Sequence, residues 1–234
     1  MEFNTYFIKE CSTGDTTYKS IDAMSYYKIG NICFEKRDYD EAIFYFNKAL
    51  EIDPNNYDSY INRGTVYLNK GEYNEAMSDL NKALEINPKD PEAYFKRGLT
   101  YDKKGQYDQA ISDYTKTIEI DPNDADAYCN RGCLYANKKL FDQAIYDFDR
   151  TLEIDPMYAD AYYNRGTVYF NKGEYNQAIS DFCNAIEINP RDALAFYNRA
   201  KLYYLKREYD KSWYDFNKAK ELGVDLQQGV DKLG

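Results

Sequence analysis

Residues 159–192 read ADAYYNRGTVYFNKGEYNQAISDFCNAIEINPRD, and edited copies of this stretch begin at Ala23, Tyr57, Pro91, Ala125 and Ala193 as well as at Ala159. The period is 34 residues, so six copies cover residues 23–226. Numbering positions within a copy from 1, position 4 holds Tyr26, Tyr60, Tyr94, Tyr128, Tyr162 and Phe196. Position 8 holds Gly30, Gly64, Gly98, Gly132, Gly166 and Ala200, and position 20 holds Ala42, Ala76, Ala110, Ala144, Ala178 and Ser212.

Positions 4, 8 and 11 share one helical face, as do 17, 20, 24, 27 and 28, so each copy reads as two amphipathic helices. Small residues at 8 and 20 allow the two backbones to approach closely, with the aromatics at 4, 11, 17 and 24 filling the space around them. Proline at position 32 of the first five copies (Pro54, Pro88, Pro122, Pro156, Pro190) stops the second helix and turns the chain toward the next copy. Asp90-Pro91 reads as an N-cap followed by proline at the first helical position, and Gly71, Gly105 and Gly173 end first helices where a left-handed residue is wanted.

This pattern resembles the tetratricopeptide repeat (TPR), a helix-turn-helix unit. The resemblance implies an all-α fold, a right-handed TPR superhelix or α-solenoid of six repeats, whose concave groove recognises proteins. The repeats are then 23–56, 57–90, 91–124, 125–158, 159–192 and 193–226, read as one domain with a layered core. Residues 1–22 lie outside the register. Phe3, Tyr6, Phe7 and Ile8 suit a partial cap on the first repeat, and a disordered leader is the alternative. Residues 227–234 form a C-terminal tail.

Composition removes several functional classes. The formal charge of -10 opposes a phosphate backbone, and the absence of histidine excludes mechanisms that need an imidazole base or ligand. No phosphate-binding glycine loop or nucleophile elbow occurs, so no enzymatic activity is expected. Cys129 and Cys133 stand one turn apart but lack the further ligands that zinc needs, and DPNDAD at 121–126 lacks the glycine and glutamate of a calcium loop; neither a metal nor a cofactor is expected. Five cysteines without framework spacing, no secretory leader and no membrane-spanning run suggest a cytoplasmic protein.

Two features vary between repeats. Repeats 2–6 pair arginine at position 7 (Arg63, Arg97, Arg131, Arg165, Arg199) with aspartate at position 23 (Asp79, Asp113, Asp147, Asp181, Asp215). Repeat 1 has Ile29 and Tyr45 instead, and this joint change predicts an Arg–Asp bridge between the helices of each later repeat. In repeat 6, position 28 becomes Lys220, and the single tryptophan, Trp213, occupies position 21 where the others carry Ile or Met. It reads either as packed within its own repeat or under residues 227–234, or as a contact for self-association or a partner.

With the core positions removed, the first helices keep a second face, positions 2, 5, 6, 9, 12 and 13, which in the family lines the groove. Position 6 gives Lys28, Asn62, Lys96, Asn130, Asn164 and Asn198, with Asn69, Asn137 and Asn171 at position 13. An amide ladder of this kind suits the main chain of an extended peptide. Position 5 (Tyr27, Ile61, Phe95, Cys129, Tyr163, Tyr197) and position 12 (Phe34, Leu68, Phe170, Tyr204) would supply pockets; truncating Tyr163 should barely alter melting if it is a groove residue, and a large loss of stability would make it core. Acidic residues at position 2 (Asp58, Glu92, Asp126, Asp160) favour a partner with basic residues. Family members that clamp a C-terminal carboxylate are matched only at Asn31, Asn62 and Lys96; Tyr27 replaces one lysine and Glu92 reverses the charge of another. The expected function is therefore that of a non-catalytic adaptor or scaffold for a protein or peptide. The alternatives are a targeting module for an enzyme encoded elsewhere and a solenoid that self-associates through its terminal faces.

Overall fold

The computed structural model describes residues 22–224, so the expectations for the leader and for residues 227–234 lie outside the described residues. The chain forms two compact units, Met1–Ile120 and Asp121–Gly234. The first contains α1 (Ala23–Glu35), α2 (Tyr39–Ile52), α3 (Tyr57–Lys70), α4 (Tyr73–Ile86), α5 (Pro91–Lys103) and α6 (Tyr107–Ile120). The second contains α7 (Ala125–Asn137), α8 (Phe141–Ile154), α9 (Ala159–Lys172), α10 (Tyr175–Ile188), α11 (Ala193–Leu205) and α12 (Tyr209–Glu221). Odd-numbered helices are the first helices of the predicted repeats and pack on the even-numbered helix that follows; within each unit, even-numbered helices also pack on the next first helix.

Local chemistry sets the helix ends. Asp22, Asn56, Asp90, Asp124 and Asp192 each accept a hydrogen bond from a backbone N–H of the helix they precede. One residue before each proline of position 32, an Asp or Asn side chain accepts the N–H two residues on, as Asp121 does from Asn123 at 3.0 Å. The acidic groups of DPNDAD thus serve a turn and a cap. Gly173 ends α9 with φ of 79°, and at the same position of repeat 4 Lys139 adopts φ of 60°.

The helix crossing depends on the missing side chain at position 8. A Cβ built on Gly98 would stand 2.8 Å from Cε1 of Tyr114, the position-24 ring, and one on Gly132 would stand 3.0 Å from Cε1 of Phe148. Ala42, Ala76, Ala110, Ala144 and Ala178 are fully buried on the facing helices. In repeat 6 Ser212 takes that place and donates to the backbone carbonyl of Ala200, the position-8 residue, at 2.9 Å. At the outer end, Trp213 is 70% exposed, which rules out packing within its own repeat.

All five predicted Arg–Asp bridges are present. Nε and Nη2 of Arg63, Arg97, Arg131, Arg165 and Arg199 donate to the two oxygens of Asp79, Asp113, Asp147, Asp181 and Asp215, at distances between 2.6 and 2.9 Å. Such two-pronged pairs fix orientation as well as charge. The guanidiniums also lie over position-4 rings, with Arg131 5.6 Å from the centroid of Tyr128. Burial raises the pKa of the Asp147 carboxyl, and the hydrogen bonds from Arg131 oppose that rise.

The same arginines reach back across repeats. Nη1 of Arg97 donates to Asn81 at 2.8 Å, that of Arg165 to Asp149 at 2.5 Å and that of Arg199 to the Cys183 thiol at 3.1 Å; Arg63 likewise meets Asn47. These acceptors all occupy position 25 of the preceding repeat. A second link runs from the lysine at position 14 to position 18 of the preceding repeat: Lys70 to Asp40, Lys104 to Asn74, Lys172 to Asp142 and Lys206 to Asn176, each at 2.8 or 2.9 Å.

Candidate protein-interaction face of the first helices

The position-6 amides do not stand free. Asn62 donates its NH2 to the Tyr27 hydroxyl at 3.1 Å and to Oδ1 of Asn31 at 2.8 Å, both on the preceding first helix. Asn164 donates to the Cys133 sulfur at 3.4 Å and Asn198 to the Tyr163 hydroxyl at 3.1 Å. Asn130 turns back on its own helix and donates to the carbonyl of Asp126 at 2.8 Å. Each amide plane is thereby fixed. Among the described residues no donor meets the Oδ1 atoms of Asn62, Asn164 or Asn198, so three oriented carbonyls remain able to accept an N–H.

Position 5 belongs more to the helix crossing than the periodicity suggests. Tyr27, Phe95, Tyr163 and Tyr197 each pack against the position-24 ring of their own repeat, Phe46, Tyr114, Phe182 and Phe216, with centroids 5.7–6.1 Å apart. Ile61 and Cys129 are buried. Tyr163 is half-buried: its ring covers Phe182 and its hydroxyl accepts from Asn198, so it serves the helix crossing as well as the face. Burial raises the pKa of that hydroxyl. Position 12 is more open, with Phe170 half-buried beside Tyr175 and Tyr204 exposed beside Tyr209.

Asp58, Glu92, Asp126 and Asp160 are exposed, and Asp126 accepts a 2.6 Å hydrogen bond from Tyr158. Lys96 stands 4.0 Å from Glu92 and 5.8 Å from the centroid of Phe95, so its charge is shared with an acidic neighbour of its own helix. In the second unit the Lys201 ammonium lies over the rings of both Phe170 and Tyr197. The thiol of Cys133 beside it, and then burial, raise the pKa of Cys129 and keep it protonated. No cluster able to hold a metal ion occurs among the described residues, nor is any described helix long and apolar enough to cross a membrane.

Comparison with known proteins agrees with this architecture. Models of the tetratricopeptide repeat match residues 23–56, 91–124 and 125–158, and a second such model matches 45–77 and 148–180. A further TPR repeat model matches 64–105 and 166–206. No curated protein sequence matches the chain. Among solved structures, YrrB, described as a TPR protein with an unusual peptide-binding site, is 30% identical, with a TM-score of 0.64 over 76% of this chain and 92% of its own. MamA is 30% identical with a TM-score of 0.65, over 70% of this chain and 96% of its own. PilF of Pseudomonas aeruginosa shares the fold, with a TM-score of 0.81 over 91% of this chain and 97% of its own at 18% identity. With its paired helices in 34-residue register, these family matches and relatives at 30% identity over most of their length, the chain is a member of the tetratricopeptide repeat family.

Proposed function

We propose that this protein is a non-catalytic, cytoplasmic adaptor that binds an extended segment of a partner protein along the first-helix face. The observation that carries this reading is the set of asparagine carbonyls, fixed by their own NH2 donations and open to a main-chain N–H. Main-chain recognition gives affinity without a demanding side-chain code, and half-exposed Phe170 and exposed Tyr204 offer the apolar contacts that supply selectivity. The peptide-binding site described for YrrB supports the same class of ligand. The exposed acids at position 2 favour basic residues in the partner over most of the face. A role in targeting an enzyme encoded elsewhere would use the same surface.

Selection of peptides from a random displayed library tests this reading. Peptides retained by the wild type should be lost from a folded Asn164→Leu, Asn198→Leu, Tyr204→Ala variant. Equal retention would move recognition to another surface.

Trp213 favours a second reading, self-association. Its counterparts Ile145 and Ile179 pack in the hydrophobic clusters that join their repeats to the next first helix, whereas Trp213 presents its ring outward. Light scattering across concentration separates the two: a mass that rises for wild type and stays monomeric for Trp213→Ser supports self-association.

A further inference from the structure

Lys201 differs from every other half-buried basic side chain of the second unit. Arg131, Arg165 and Arg199 are paired with buried aspartates, Arg150 with Glu153 and Lys218 with Glu221. Lys201 has no carboxylate within 4.0 Å among the described residues. Its ammonium is held 5.1 Å from the centroid of Phe170 on α9 and 5.5 Å from that of Tyr197 on α11. Two rings cover part of this half-buried side chain, yet provide no counter-charge.

The surroundings are apolar and open. Tyr204 and Leu205, one turn further along α11, are 46% and 49% exposed, and Leu194 takes position 2 of this repeat, where repeats 2–5 carry an acid. The loss of the acid and the gain of a lysine at position 9 occur in the same repeat. Asp160, one repeat earlier, is exposed and makes no ion pair among the described residues. The charge preference of the face therefore reverses between α9 and α11.

We infer that Lys201 seats an aspartate or glutamate side chain of the bound segment, with a neighbouring apolar side chain of that segment resting on Tyr204 and Leu205. This rests on the first-helix reading above and refines it: over the second unit the partner is charge-ordered, with basic residues over the acid-bearing repeats 4 and 5 and an acidic residue over repeat 6. A half-buried ammonium partly covered by two rings pairs in a partly dehydrated setting. The same asymmetry favours one direction for the segment, because a reversed segment would bring its basic residues against Lys201.

The test uses the full chain and peptides selected on it from a random displayed library. Wild-type selections should show an acidic residue enriched at one register, retained on Lys201→Arg and absent on Lys201→Gln. A selected peptide synthesised with blocked ends, and its partner with the acid changed to the amide, then give a cycle. The amide form should bind wild type about fivefold more weakly, and both forms should bind Lys201→Gln equally. Acid preference that persists on Lys201→Gln overturns the assignment, as does preference for a free C-terminal carboxylate over the blocked acidic peptide. Peptides that depend on Asn164 yet show no acid preference overturn this seat alone. Peptides indifferent to the whole face overturn both the seat and the reading it rests on.

Discussion

Arg131 on α7 holds Asp147 on α8 by two parallel hydrogen bonds, Nε to Oδ2 at 2.8 Å and Nη2 to Oδ1 at 2.7 Å, with Asp147 entirely out of contact with solvent. The pair joins the two helices of one repeat. Its net contribution relative to two apolar residues is small, but removing one partner strands the other in a dry crossing. A double-mutant cycle on Arg131→Met and Asp147→Leu should give a coupling energy of about 2 kcal/mol, with each single variant costing about 3 kcal/mol. Additive singles in denaturant melts would show that the geometry carries no coupling.

The position-8 glycines differ in the room they leave. Alanine at Gly98 meets Tyr114 at 2.8 Å, whereas at Gly64 it meets Leu80 at 3.1 Å. Alanine gains about 1 kcal/mol in helix propensity at either site. Overpacking against the wedged ring costs about 1–3 kcal/mol. Gly98→Ala should therefore lower the melting temperature and Gly64→Ala should lower it less or leave it unchanged. The reverse order would contradict the crossing geometry.

Arg37, Lys139 and Arg207 adopt the left-handed backbone that Gly71, Gly105 and Gly173 adopt in the other repeats, with the same turn hydrogen bonds. A side chain in this region costs about 1–2 kcal/mol, partly offset because glycine loosens the unfolded chain. Lys139→Gly should stabilise by about 0.5–1 kcal/mol, and Gly173→Lys should destabilise by a similar amount. Thermal melts of the two variants shifting in the same direction would count against the assigned turn.

Tyr163 links the core to the outer face. Tyr163→Ala should cost about 2–3 kcal/mol, since a ring packed on Phe182 is lost and the Asn198 amide loses its acceptor. Tyr163→Phe should keep most of that stability. An alanine variant that melts like wild type would return Tyr163 to the open face.

The helix pairs and the Arg–Asp bridges were legible because each rests on one residue type at one position, and because positions 7 and 23 change together in repeat 1. The links between repeats were less so. Position 25 accepts the arginine through Asn47, Asn81, Asp149 or Cys183, so no residue type marks it. The position-14 lysines are invariant across all six repeats, a signal present in the sequence, but their acceptors lie thirty residues upstream. Position 5 also has a packing role that periodicity did not reveal. It borders the apolar stripe, and a ring there is long enough to reach the position-24 ring. Nor does periodicity reveal that Asn62, Asn164 and Asn198 spend their donors on the neighbouring repeat.

The most direct test of the first-helix face is a photo-crosslinking side chain placed at Tyr204 on α11 or at Tyr146 on α8. Both residues are exposed, at 46% and 59%, on helices of opposite role. After irradiation in the source cell, a partner adduct should form from position 204 and be absent from position 146. An adduct from 146 alone, or equal adducts from both, would contradict binding along the first helices.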